Sequence, residues 1–342
     1  MNNLRCPSQW YVIMCAICLS FVPAASARFH VADLGTIGTG AAPATWGYGI
    51  NNAGMVVGYF VSPWHAFRDT GLMFDLGTLG GATSTAYGIN NTAQVVGVAD
   101  TPTTSHAFLF SGTTMSDLGT LGGGTSIAFG INNNGQVTGL ADMPSNIPHA
   151  FLFSGGVMQD LGTLGGTLSA GRGIDVNGRV AGYSSLSSGA IHPILYTGGP
   201  LLDLGTLGGT SAWAYGMNNA GVVVGGSLMP GNSIEHAYFW NGHMNDLGTL
   251  GGGFQVYAAA INNNGVIVGT SSLAGNMKTH GFIAYCHYKM VDLNTMLDAS
   301  GVGWEIWQAT AINDNGQVVA WGINSSGQLH TLLLTFLGSL TC

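Results

Sequence analysis

The 342-residue chain carries 7 Lys+Arg against 15 Asp+Glu, a formal net charge of −8, with only 6% of residues charged. That balance lacks the basic footprint that nucleic acid or anionic lipid requires. Polarity comes from 56 Gly together with Ser, Thr and Asn, while Val, Ile, Leu and aromatics recur along the whole length, which excludes a disordered chain.

The first element is a leader. Arg5 precedes an uncharged apolar run from Tyr11 to Val22, and Ala25-Ser26-Ala27 follows with the small residues that signal peptidase accepts. This order predicts a secretory signal over residues 1–27, cleaved after Ala27, and a mature domain over 28–342. The run is short for a membrane span and no later stretch approaches about 20 apolar residues, so membrane insertion is not expected. The expected destination is the periplasm or the cell exterior. Neither Cys15 nor Cys18 follows a small residue as a lipoprotein signal requires. Cys286 and Cys342 remain after cleavage, and an exported chain can oxidise such a pair. A disulfide between them and two separate thiols both fit the residues. No CxxC or CxxH spacing suggests a metal, and no cofactor is implied.

The rest of the chain is one unit repeated seven times. Asp-Leu-Gly begins at Asp33, Asp75, Asp117, Asp160, Asp203 and Asp246, with Asp-Leu-Asn at Asp292; the steps are 42, 42, 43, 43, 43 and 46 residues. After each comes a GINNxGxVVG-like segment, at Gly49, Gly88, Gly130, Gly173, Gly216, Ala260 and Ala311. A histidine motif completes the unit, at His65, His106, His149, His192, His236, His280 and His330. Each unit reads as four short strands, with hairpins at the Asn/Gly turns and at Ser-Gly turns such as Ser111-Gly112. Four strands per unit of this length predict an all-β, seven-bladed β-propeller; an open β-solenoid is the alternative. The GIN strand alternates large residues (Trp46 and Tyr48, Trp213 and Tyr215) with Gly or Ala, so we expect its bulky face to nest on the bare face of the next blade. Whether the two termini complete one blade together is left open by the residues.

DLGTLGG, GINNxGxVVG and HAF in register resemble the HAF-repeat family of extracellular bacterial proteins, over about residues 30 to 336. The closing stretch VDLNTMLDASGVGWEIWQATAINDNGQVV is similar to that family's last repeat. The resemblance implies an exported protein and carries no catalytic residues across. Departures are Ala93 where Gly is usual, and Arg172, Asp175, Arg179 and Pro193 in the fourth repeat.

Seven equivalent histidines could line a channel, but one staple per blade accounts better for them, since a half-buried imidazole needs a hydrogen-bond partner such as the recurrent Asp or a turn carbonyl. The seven Asp of the DLG motif read as turn caps rather than calcium ligands, each loop offering a single carboxylate. Among acids outside the repeat, Asp100 and Asp142 share one loop position in adjacent repeats and are the candidate pair for a hydrolase or lyase with carboxylates at the axial mouth. A solvated rim is the competing account of both, and no GxSxG, HExxH or Gly-Lys motif accompanies them. Trp304, Glu305 and Trp307 in the aberrant seventh repeat, and Trp64 before His65, are the candidate ligand-binding residues, against the alternative that the tryptophans fill a larger blade interface. The expected function is a non-enzymatic binding or structural module, acting as a monomer on a glycan or an extracellular protein.

Overall fold

The computed structural model describes residues 28–35, 44–61, 63–285 and 288–338. The predicted leader (residues 1–27), Cys286 and Cys342 lie outside the described residues. Within them are twenty-eight strands, numbered β1 to β28 in chain order, in seven four-stranded antiparallel sheets. Blade 1 comprises β2 (Thr45–Ile50), β3 (Val56–Phe60), β4 (His65–Asp69) and β5 (Met73–Asp75), ordered β2-β3-β4-β5 from the axis outward. Blades 2 to 6 repeat that meander. The seventh is composite: β26 (Trp304–Ile312), β27 (Val318–Asn324) and β28 (Leu329–Phe336) are completed by β1 (Phe29–Asp33), paired with β28 from Phe29↔Phe336 to Asp33↔Leu332. The ring of the seven-bladed β-propeller is therefore closed by hydrogen bonds between its two ends, the N-terminal strand supplying the outermost strand of the last blade.

The motifs explain the blade. In the GINN turn, Asn51 Oδ1 accepts from the N–H groups of Ala53 and Met55, both at 3.0 Å, and Gly54 takes φ = 79°, a conformation that favours glycine. In the third strand, His Nδ1 stands 2.6 to 2.9 Å from the Asp carboxylate of the outer strand in all seven blades, from His65–Asp75 to His330–Asp33 across the chain ends. A carboxylate only accepts, so Nδ1–H is the donor. The same Asp also accepts from the N–H two residues on, as Asp75 does from Gly77 at 2.8 Å, and so caps the turn into the next blade.

Bulky-on-bare nesting is real but sits one strand pair further out than the alternation suggested. Phe108 of blade 2 is buried against Val57, Ala66 and Leu76 of blade 1. Phe151 of blade 3 meets Val96 and Ala107, and Phe282 of blade 6 meets Val224 and Ala237. The Phe of HAF thus faces the preceding blade and its Ala the following one. Each such ring, 0% exposed, contributes about 2 kcal/mol of apolar burial. The inner strands behave differently. Their glycines abut neighbouring backbone: a Cβ on Gly49 would lie 2.9 Å from the Tyr87 carbonyl oxygen. A bulge between Gly47 and Gly49 brings Tyr48 into the bore wall, 5.1 Å from Tyr87 of blade 2 and 5.4 Å from Trp321 of blade 7, while Trp46 packs edge-on against Trp321 at 4.6 Å.

Candidate functional site: the axial bore

Three layers line the bore. Its polar mouth is built from the Asn pairs of the GINN turns: Asn51 Nδ2 donates to Asn90 O (3.1 Å), Asn90 to Asn132 O (3.0 Å) and Asn132 to Asp175 O (2.7 Å). The chain resumes from Asn218 to Asn262 O, Asn262 to Asn313 O and Asn313 back to Asn51 O. A parallel circuit runs from backbone N–H to side-chain oxygen, Asn52 to Asn91, Asn91 to Asn133, and on to Asp314 N–H donating to Asn52 Oδ1. Both circuits break at blade 4, where Asp175 has no amide to donate and Val176 has no side-chain oxygen. Arg179 bridges the gap instead, with Nε 2.6 Å from Asp175 Oδ2 and Nη2 3.1 Å from Asn219 O. Behind the mouth, Ile50, Ile89, Ile131, Ile174, Met217, Ile261 and Ile312 form an apolar collar common to the cavities on either side.

Beyond the collar lies a cavity of about 520 Å³. The residue two before each Ile or Met provides Tyr48, Tyr87, Phe129, Arg172 and Tyr215, with Tyr257 and Trp321 completing the wall. Neighbouring rings touch side to side: Tyr48–Tyr87 at 5.1 Å, Tyr87–Phe129 at 5.2 Å and Tyr215–Tyr257 at 5.2 Å between centroids. Trp321 is fixed across the closure by its indole N–H on Gly47 O at 2.8 Å. Arg172 interrupts the aromatic series. Its guanidinium lies 4.0 Å from the Phe129 centroid and 5.6 Å from that of Tyr215, and among the described residues no carboxylate pairs with it. Burial pushes the phenols of Tyr48, Tyr87 and Tyr215 above their ordinary value, so they remain protonated, neutral hydrogen-bonding groups. Among the described residues no Asp or Glu lines this cavity.

The residues singled out from sequence stand elsewhere. Asp100 Oδ2 accepts from Thr83 N–H (3.0 Å) and Thr83 Oγ1 (2.7 Å), and its Oδ1 accepts from Ser105 Oγ at 2.7 Å. Asp142 repeats this with Thr125 N–H at 3.1 Å and Oγ1 at 2.7 Å. Ser185 and Ser272 do the same work in blades 4 and 6, accepting from Leu168 and Gln255 N–H, so the position calls for a hydrogen-bond acceptor rather than a reactive acid. Burial raises the Asp100 carboxyl, but the bonds from Ser105 and Thr83 outweigh it and hold the group below its usual value, opposite to what a general acid needs. Trp304 packs on the core shared by blades 6 and 7 and lies 5.5 Å from the His330 ring. Glu305 is taken by Lys278 Nζ at 2.8 Å and His280 Nε2 at 3.2 Å. Trp307 is 36% exposed, and Trp64, 55% exposed, leans on Tyr59 at 6.1 Å. No ring contact among the described residues joins Trp64 to Trp304 or Trp307. Arg172, a departure from the repeat, is the one basic residue at a position that is aromatic in four other blades.

Among the described residues no three His, Cys, Asp or Glu gather as a metal site, and no helix is long and apolar enough to cross a membrane. The class defined by these features is a seven-bladed propeller with an aromatic axial bore. No protein-family model matches the chain, and no curated protein matches it. Among solved structures, TolB from Acinetobacter baumannii is similar at 14% identity and a TM-score of 0.40, over 71% of this chain and 63% of that one, so the match spans less than two thirds of TolB. A triple arginine-to-alanine mutant of AofleA from Arthrobotrys oligospora is similar at 11% identity and a TM-score of 0.40, over 91% and 93% of the two chains. At these scores neither likeness bears on function.

Proposed function

We propose that this protein is an exported, non-enzymatic binding module of the HAF-repeat kind, whose axial bore holds a glycan with an anionic group. The observation that carries the reading is Arg172: a guanidinium without an acidic partner, set in a wall of neutral phenols and flat rings. Aromatic faces receive the C–H faces of a sugar, phenol hydroxyls and guanidinium N–H groups bond its oxygens, and the fork of Arg172 suits a carboxylate or sulfate. A bore in which no described residue is acidic favours binding over glycoside hydrolysis, which uses two facing carboxylates. Export rests on the apolar leader, and N-terminal sequencing of protein recovered outside the cytoplasm should begin at Arg28.

A glycan array probed with the mature chain tests the ligand. Retention of uronic-acid or sulfated glycans, lost at least tenfold in Arg172→Gln and in Tyr87→Ala while the far-UV spectrum is unchanged, is the expected result. Retention that ignores both substitutions would overturn the reading.

A further inference from the structure

Blade 5 departs from the other blades at two positions that meet in space. In its second strand, paired opposite Trp213, stands Gly226, where the other blades carry Tyr59, Val98, Leu140, Tyr183, Thr270 and Trp321. Before its repeat histidine stands Glu235, a position held elsewhere by Trp64, Ser105, Pro148, Ile191, Thr279 and Leu329. A Cβ on Gly226 would lie 2.5 Å from Glu235 Oε1, so the missing side chain is what admits the carboxylate. The carboxylate is poorly served there. Its Oε2 takes a long 3.3 Å bond from Val256 N–H, and among the described residues no Lys, Arg or His pairs with it. Burial pushes its carboxyl up, as expected for a charge short of partners.

Around Glu235 is a cleft of about 390 Å³, walled by Trp213 and Tyr215 on blade 5 and by Phe254 of blade 6. Phe254 is 77% exposed, so its ring stands over the cleft's edge rather than in a core. We propose that this cleft binds an alkylammonium group, with Glu235 as counter-ion and the three rings as a partial cage. A carboxylate supplies the charge and hydrogen-bond acceptors, and ring faces attract a cation most strongly where water is partly excluded. The cleft shares Tyr215 with the bore but lies outside it, and the proposal stands whatever the bore binds. A protonated amine reaches such a site from an amino sugar or from a lysine side chain.

The test is a titration of the isotope-labelled mature chain with n-butylammonium chloride at constant ionic strength, with n-butanol as the neutral control, read at the Val256 amide and the Trp213 indole N–H. Saturable shifts in the millimolar range are expected for the amine alone, weakened at least tenfold by Glu235→Gln and about threefold by Phe254→Ala, an exposed position at which folding is not at stake. Glucosamine and Nα-acetyl-lysine amide, each beside its side-chain N-acetylated form, then identify the source, and either amine binding better than its acetylated form supports the site. Arg172→Gln should leave the butylammonium shifts in place, which separates this site from the bore. Equal shifts from n-butanol, or unweakened binding by Glu235→Gln, would overturn the proposal.

Discussion

The Asn circuit makes a sharp prediction at Asn90, which is 3% exposed. Its Oδ1 accepts from Thr92 N–H (3.1 Å) and Gln94 N–H (2.9 Å), while Nδ2 donates to Asn132 O (3.0 Å) and Gln94 Oε1 (2.8 Å). Asn90→Asp keeps these acceptances, together with one from Thr92 Oγ1 at 2.9 Å, and removes both donations, turning a carboxylate oxygen towards the Asn132 carbonyl. Two lost bonds at about 1 kcal/mol each predict a loss of about 2 kcal/mol, the Asn132 carbonyl keeping its other bond from Gly135 N–H at 3.1 Å. Blade 4 shows the remedy, because Asp175 there is served by Arg179 four residues on. Adding Gln94→Arg to Asn90→Asp should therefore recover at least half of the loss, whereas Gln94→Arg alone should not stabilise. Urea unfolding of all four proteins, followed by circular dichroism and compared at equal m-value, measures the coupling. An Asn90→Asp effect within about 0.5 kcal/mol of zero, or no recovery in the double variant, would show that these bonds do not hold the blades together.

Three further outcomes follow from single residues. Ala93 takes φ = 61° where the sister turns place Gly, so Ala93→Gly should raise stability by about 0.5–1 kcal/mol in thermal or urea unfolding, the relieved left-handed strain exceeding the gain in unfolded-state entropy. Tyr238 is 0% exposed and among the described residues its hydroxyl has no partner, whereas blades 1, 2, 3 and 6 carry Phe there; Tyr238→Phe should stabilise by about 1 kcal/mol, and a loss of that size would reveal a hidden partner. Asp100→Ser should cost under about 1 kcal/mol near neutral pH, since Ser185 and Ser272 already fill the same role. Because the folded carboxyl of Asp100 lies below its unfolded value, its contribution is whole above the ordinary carboxylate range and is lost as pH falls through the depressed value. The gap between wild type and Asp100→Ser should accordingly shrink in acid, and a gap that widened would contradict the bonding described.

The seven-fold architecture was legible because every blade repeats the same local solutions, so motif spacing alone counted the blades. What the repeats could not reveal is which way a strand's faces point once the chain closes. Trp46 and Tyr48 alternate with Gly47 and Gly49 as a nesting strand would, yet at a bulge visible only in the pairing with Val57 and Gly58 the Tyr48 ring enters the bore wall, and Trp46 packs on Trp321 of the seventh blade. Closure was likewise undecided, since any of several strand divisions gives the same periodicity, and only the pairing of Phe29 with Phe336 selects one. The site was partly legible. The tryptophans of the irregular seventh repeat stand out in the sequence, but the extra length there gives Trp304 a larger core to fill. Arg172 looked like noise in the fourth repeat because the aromatic positions it joins come together only around the axis.

The most direct measurement of the central claim is a crystal structure of the mature chain with the array's best-retained glycan. Sugar density in the bore, stacked on Tyr87 or Phe129 with its anionic group within hydrogen-bond reach of Arg172, is the predicted result. Density confined to the outer rim, at Trp64 or Trp307, with the bore empty of sugar, would contradict it.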